Sequence, residues 1–556
     1  MHRIDRIVCT LIIFLALSAT PSSAKQKPAE HIWLGTIITM DQKQPIAEAI
    51  AVRKGEIIAV GDSSSVLALG DRHTEIIRLE GRALLPGFVM AHEHPGISAV
   101  FGGLVDISGF TYPRMVDAFD ALSVVVQNSE PGEWVYGIGL DPVLQADFSP
   151  PTLAKLDSIA PDNPLFLITQ AMHSFWANSK ALEAAGITQD IQDPPGGGHY
   201  GRDEAGNLTG FIAESAAAAP ILKNLRKPLR AAGRLKTVFH ELSASGITTV
   251  ASMGFNPPPW LAKWMAREHF RPIIRQVVYL KTDELSYLPS SPDKGTAFYR
   301  IAGIKLWHDG SPYTGTMDIH DPYLHNDVTV SMGIEEGTSG EPLITDSVFL
   351  SQMLQFDSEG WQLAVHAQGD ASNEAVCQMF QQLGRRDLRH RVEHGMLMSP
   401  KVVQELAALG MTASFHVDHI SYYGDALAHS VLGPERASQM LPIRSAVQAG
   451  LRPSLHADSP MFPAKPFHLM QTAILRSTTS GMQLGSQETV GMLAALRMVT
   501  IDAAWQLHMD HIVGSLEVGK RADLVEVSSD PLKTDVQNWN NIQVKAVWLD
   551  GRQLRP

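Results

Sequence analysis

Eight short apolar runs, each closing on polar residues, constrain this chain more than any other feature. They are ALLPGFVMAHEH (83–94), GITTVASMG (246–254), PIIRQVVYL (272–280), IAGIKLWHDG (301–310), QLAVHAQGD (362–370), RHRVEHG (389–395), MTASFHVDH (411–419) and LRPSLHADSP (451–460). Helical patterns such as AAGRLKTVFHELSAS (231–245), DASNEAVCQMFQQLG (370–384) and SPKVVQELAALG (399–410) lie between several of them. Strands alternating with helices read as βα units around a parallel sheet, and eight such units predict a TIM (β/α)8 barrel, an α/β fold. Residues 95–245 separate the first two strands and predict an insert, with DPPGGGHYGRDEAGNLTGFIAE (193–214) as a glycine-rich hairpin. The polar stretch 318–345 is too long for a simple connection and reads as a lid over the barrel mouth.

The two chain ends carry matching strand material. HIWLGTIITMD (31–41) and AIAVRKGEIIAVGD (49–62), with RKGE as a hairpin tip, stand at one end. RADLVEVSSD (521–530) and NIQVKAVWLDGRQL (541–554) stand at the other. Neither set makes a stable sheet alone, so both ends are expected to share one small β-sandwich-like domain. The expected organisation is 25–85 and 511–556 for that domain and 86–510 for the barrel, with the insert at about 100–240.

Residues 1–24 read as a leader: basic MHRIDR, apolar IVCTLIIFLALSA, then TPSSA with cleavage after Ala24. The apolar run is short for a membrane span, so an uncleaved anchor is the second reading. Export to the periplasm or medium follows, with no stable membrane insertion after cleavage. Cleavage removes Cys9 and leaves Cys377, inside a helical pattern, as a lone buried structural thiol. The net charge of −13 without a Lys/Arg block argues against nucleic acid as a partner and leaves a small-molecule substrate.

In a TIM barrel the chemistry gathers at the C-terminal strand ends. Alternation along the first strand is expected to turn Phe88, Met90, His92 and His94 inward together. Later strands end in Lys305, His366, His394 and Asp458. Four histidines, a lysine and an aspartate suit a site for one or two divalent ions, zinc above all. An ammonium repels cations, so Lys305 fits such a site if it is neutral, or if CO2 converts it to a bridging carbamate. Taken singly, each residue reads as a loop cap, a salt-bridge partner or an N-cap. Their joint fall at separate strand ends carries the metal reading.

The motifs PGFVMAHEH, IKLWHDGS, VHAQGD, RVEHG and HADSP, with the closing GSLEVGKRADLVEV, resemble the amidohydrolase superfamily. The branch is amidohydrolase family 3, which includes YtcJ-like proteins and N-substituted formamide deformylase. MHSFWANSKALEAAGI (172–187) and the glycine-rich hairpin match that branch's insert. The resemblance implies that His92, His94, Lys305, His366, His394 and Asp458 fill the family's metal and catalytic positions. Asp458 is then the proton acceptor for the attacking water and the donor to the leaving amine. The implied activity is hydrolysis of a C–N bond, a linear amide of a small molecule. A deaminase or cyclic-amide hydrolase shares the same metal chemistry, and a non-catalytic binding or regulatory protein keeping the barrel is the rival of another class.

The chain departs from the family at several positions. HADSP stands where GSDAP is usual, so His456 reads either as a packed neighbour of the ligands or as an altered ligand. In WHDGS, Trp307 is expected to pack on a helix and His308 to approach the substrate. In FHVDHISYYGD, His416, His419, Tyr422 and Tyr423 either line the pocket or sit exposed on a loop. His173 and Glu214 lie in the insert and either close over the mouth or stabilise the insert itself.

Overall fold

The computed structural model describes residues 27–554 apart from 196–197, 226–227, 257–271, 283–288, 290, 294 and 385–386. The leader expected over residues 1–24, with Cys9, lies outside the described residues.

The eight runs form one parallel ladder in chain order. Its strands are β1 (Phe88–Glu93), β2 (Ile247–Ser252), β3 (Arg275–Lys281), β4 (Tyr299–Trp307), β5 (Gln362–Ala367), β6 (Arg391–His394), β7 (Thr412–His416) and β8 (Ser454–His456). Beyond the strand ends, His94 N donates to Ser459 O at 3.0 Å and Ala457 N to the Glu93 carboxylate at 3.1 Å, drawing β8 against β1. The lower lumen is filled by Val89, Ala91, Ala251, Val277, Tyr279, Ala302 and Ala364. Ala503, Ala504 and Leu507, from the helix Ile501–Gln506 and its end, pack against that apolar set.

The expected alternation fails on β1. Phe88 packs edge-on against Phe467 of the helix Pro466–Leu475, outside the barrel, and Met90 belongs with the same outer layer. Val89 and Ala91 face the lumen instead.

The chain ends share one seven-stranded ladder. Its order runs Arg552–Leu554, Val544–Leu549, Leu524–Val527, Glu75–Pro86, His31–Ile38, Ile46–Arg53, Glu56–Gly61. Arg53 pairs with Glu56 across the RKGE tip. ALLP belongs to this sheet, with Pro86 opposite Leu524, and Gly87 is the joint to β1. A Cβ at Gly87 would meet Thr248 Oγ1 at 2.2 Å, so only glycine lets the two backbones approach there.

A buried ion pair ties sheet to barrel. Arg275, at the foot of β3, reaches both oxygens of Asp523 at 2.6 and 2.9 Å with neither side chain exposed beyond 1%. Removing one partner strands the other charge in an apolar setting, which costs about 3–5 kcal/mol. Arg275→Ala is therefore expected to lower the urea midpoint strongly, and Arg275→Met with Asp523→Leu to recover part of it. An unchanged midpoint in the single variant would show that the pair contributes no stability.

The insert forms a six-stranded sheet in the order His199–Arg202, Leu208–Ala213, Ser174–Ala177, Leu165–Thr169, Val135–Leu140, Val105–Asp106. It docks beside the barrel mouth, where Gln170 Nε2 donates to the Pro460 carbonyl at 3.2 Å and also to that of Met461. The stretch 318–345 buries Ile319, Tyr323, Met332 and Ile334 and is fastened by Leu324 N to Val431 O at 3.0 Å. Cys377 is buried in the helix Asp370–Leu383, and burial and the Glu405 carboxylate push its thiol up to about 12. Among the described residues no helix is long and apolar enough to cross a membrane.

Candidate metal-binding active site

Two different backbone devices bring the side chains together. His366 arrives by plain alternation after Ala364 on β5, and Lys305 after Gly303 on β4, where a register slip between Ile301 and Gly303 has already reset the inward face. His92 arrives through a slip in register: Val250 pairs with Met90, but Ser252 pairs with Glu93, so β1 carries one extra residue. Such a bulge re-aims the side chain it holds. His394 and Asp458 sit at φ +71° and +56°, a left-handed conformation that non-glycine residues adopt at a cost. Strain of that kind persists where the surroundings over-determine it, commonly at active sites.

His92, His94 and Asp458 converge. His92 Nδ1 lies 2.6 Å from Glu393 Oε2, and His94 Nδ1 lies 2.9 Å from the Met253 carbonyl. Burial raises the Glu393 carboxyl, but the Arg391 guanidinium and His92 outweigh it and hold it at about 2. Both partners are thus pure acceptors, and each Nδ1 must donate. The two Nε2 atoms then face Asp458 Oδ1, 3.1 and 2.9 Å away. A positive charge belongs at that point, and either a proton on one imidazole or a bound cation supplies it. His92 Nε2 and Asp458 Oδ1 make no hydrogen bond among the described residues.

The neighbours extend the same chemistry. His366 Nε2 donates to the Gly310 carbonyl at 3.0 Å, leaving Nδ1 as its lone pair, and its ring lies 4.3 Å from that of His394. Burial above all keeps both His366 and His394 well below the usual imidazole range, with Lys305 adding to it at each, so both are neutral. Among the described residues three groups have ligand atoms within 4.8 Å of one another: His92, His94 and Asp458; His92, His394 and His456; His394, His416 and Asp458. Lys305 Nζ is fully buried without a hydrogen-bond partner among the described residues, and burial lowers its pKa to about 8 against the pull of Glu393 and Asp458. Neutral imidazoles, a carboxylate and a deprotonatable lysine fit a divalent cation.

The surrounding residues sort differently from the sequence expectation. His416 and His419 are buried at the site: His416 Nε2 donates to Ala457 O at 2.9 Å, and His419 Nδ1 contacts the Tyr313 hydroxyl at 2.6 Å. They are not exposed loop residues. Tyr423 is buried on Asp141, and Tyr422 stands 4.9 Å from the Phe462 ring. His456 stacks on His92 with ring centres 4.3 Å apart. His173, on the insert, places Nδ1 2.9 Å from Glu214 Oε2, within electrostatic range of Asp458.

His308 is the correction. Its ring faces the outer helices, on Ser372 at 2.9 Å and Asp346 at 3.1 Å, with its edge on Phe349, so it does not approach a substrate. Trp307 takes the inward parity of Lys305 and lies 5.4 Å from its Nζ, rather than against a helix. Sequence reasoning also missed Glu93, Asp309, Arg391 and Glu393. Glu93 accepts from the backbone of Ala457 and Ser459, and Asp309 accepts from Gln368 and Gly369. Arg391 and Glu393 form the support under His92. The signal available for Glu93 was an acidic residue directly beside a candidate ligand in a strand otherwise free of charge, and for Glu393 an Arg–Val–Glu run directly before a candidate ligand.

Comparisons with known proteins agree with this geometry. The amidohydrolase family profile matches residues 75–555. The chain is 28% identical over 553 residues to Protein LONG AFTER FAR-RED 3 of Arabidopsis thaliana, covering 94% of this chain and 91% of that one. It is 27% identical over 538 residues to N-substituted formamide deformylase of Arthrobacter pascens, covering 92% and 96%. The solved structure of an uncharacterized metal-dependent hydrolase from Pyrococcus horikoshii superposes with a TM-score of 0.73 at 23% identity, covering 91% and 99%. This chain belongs to the amidohydrolase family and is a metal-dependent hydrolase acting on carbon–nitrogen bonds.

Proposed function

We propose that the protein is an exported enzyme that cleaves the linear amide of a small molecule, an N-acyl or N-formyl amine, with one or two zinc-like ions. The observation that carries this reading is the convergence of His92 Nε2, His94 Nε2 and Asp458 Oδ1 on one point, beside the unpartnered Lys305 Nζ. The candidate ligands are His92, His94, His366, His394 and Asp458, with Lys305 as a carbamate. A cation bound there supplies the charge that acidifies water and polarises a carbonyl.

The residues do the rest. Asp458 and His94 are the more open members, with side chains 16% and 11% exposed, so the scissile bond approaches at that edge. Asp458 takes a proton from the attacking water and returns it to the leaving nitrogen. His173, aligned by Glu214, donates to the oxygen on which negative charge develops. The substrate class is supported by the similarity to a formamide deformylase, and export by the basic-then-apolar start of the chain.

Elemental analysis of the mature protein, starting at Lys25 and produced with zinc available, is the test. About two equivalents of metal and turnover on N-formyl or N-acyl amines are expected. Folded protein that takes up no metal would overturn the reading.

A further inference from the structure

His456 occupies a position where the family resemblance leads one to expect a small residue, and its surroundings determine where its proton lies. Gln506 sets the direction at the barrel floor. Its Nε2 donates to the carbonyls of Ala413 at 2.7 Å and Arg452 at 2.9 Å, two groups that only accept. Gln506 Oε1 is therefore the atom facing Ser454 Oγ at 2.7 Å, and the Ser454 hydroxyl proton is committed to it. Ser454 Oγ also lies 2.8 Å from Ser414 Oγ. Since Ser454 has spent its only proton, Ser414 must be the donor in that contact.

The same count then passes to the imidazoles. Ser414 Oγ is 2.9 Å from His456 Nδ1, and with its own proton given to Ser454 it receives one from His456. The neutral His456 ring then carries its lone pair on Nε2. That atom lies 3.3 Å from His394 Nδ1, which must supply the hydrogen. His394 is left with its own lone pair on Nε2. Ser414, Ser454, His456 and Gln506 are each fully buried, so water does not reverse the order. Stacking between His92 (4.3 Å, 9°) and His416 (5.0 Å, 22°) holds the His456 ring in the required plane.

We infer that His456 is a positioning residue: the chain Gln506–Ser454–Ser414–His456 fixes His394 as its Nδ1–H tautomer and frees Nε2 to bind metal. The competing role, in which His456 is itself a ligand, requires its Nε2 lone pair to be shared with a cation rather than with the His394 hydrogen. The consequence for metal rests on the proposed function. The proton order does not.

Neutron diffraction from perdeuterated, metal-free, full mature protein reads the order directly. Deuterium on Nδ1 of both His394 and His456 is expected, and deuterium on His456 Nε2 would overturn the inference whatever the metal content. Cobalt(II) titration of the same protein tests the consequence. Partners behind a metal ligand typically carry 10–100-fold in affinity. His456→Leu is expected to weaken cobalt binding by about that factor, and His456→Gln, whose amide oxygen accepts from His394, to restore most of it. The visible spectrum of the saturated protein should be the same in all three. A changed spectrum in both variants would make His456 a ligand, and undiminished affinity in the leucine variant would remove its positioning role. Wild-type protein that binds no cobalt would refute the metal reading while leaving the neutron result to stand by itself.

Discussion

Asp458→Asn is expected to retain metal and to lower kcat by about 10²–10⁴-fold, the usual contribution of a general acid–base group. The substitution keeps an oxygen that can face His92 and His94, whose Nε2 atoms lie 3.1 and 2.9 Å from Oδ1. It removes the capacity to accept a proton on the second oxygen. Burial raises the Asp458 carboxyl, but His94 and His92 outweigh that and hold it well below the usual carboxylate range, so the wild-type group is ionised. KM should move little, because the loss falls on the transition state rather than on binding. Metal content and kcat measured on the same preparation check it. A variant with near-normal kcat would end the proton-transfer role for Asp458.

The barrel was legible because eight strand-length runs alternating with helical patterns leave few other solutions. The shared sheet was legible because each chain end alone was too small to be stable. Site geometry was legible only where backbone regularity held. Lys305 and His366 follow the alternation of Gly303 and Ala364, whereas the alternation expected on β1 failed where the backbone broke its own rule. The bulge at His92 and the left-handed turn at His394 are set by pairing with neighbouring strands, which no local pattern records. Trp307 and His308 were exchanged for the opposite reason, because alternation held there and was not applied. Parity alone, counted from Lys305, would have turned Trp307 inward and His308 toward the helices. Glu393 was missed for a related reason. Its role depends on Arg391 two residues earlier and on His92 from another strand, and only the closed barrel brings the three together.

Lys305→Met should have the other large effect: loss of at least one of about two metal equivalents, and with it nearly all turnover. The wild-type ammonium is desolvated in the site and is held there only by the pull of Glu393 and Asp458. It is fully buried, makes no hydrogen bond among the described residues, and stands amid the neutral imidazoles of His366 and His394. Burial lowers its pKa to about 8, which makes the neutral amine accessible. That amine can attack CO2, forming an N–C bond as one C=O π bond opens and releasing one proton to solvent, to leave a carbamate. Two oxygen donors with a negative charge then stand where a positive charge stood, the change that a pair of divalent ions requires. Methionine fills much of the same volume without a donor oxygen, so the barrel should fold while the bridge is lost. Metal content per chain and a carbamate carbon signal after exposure of the wild type to 13CO2 are the two readouts. Full metal occupancy in Lys305→Met would exclude a bridging carbamate as a requirement for the second ion. A wild type with metal but no carbon signal would leave Lys305 as a neutral amine, one of the two states in which a lysine is compatible with this site.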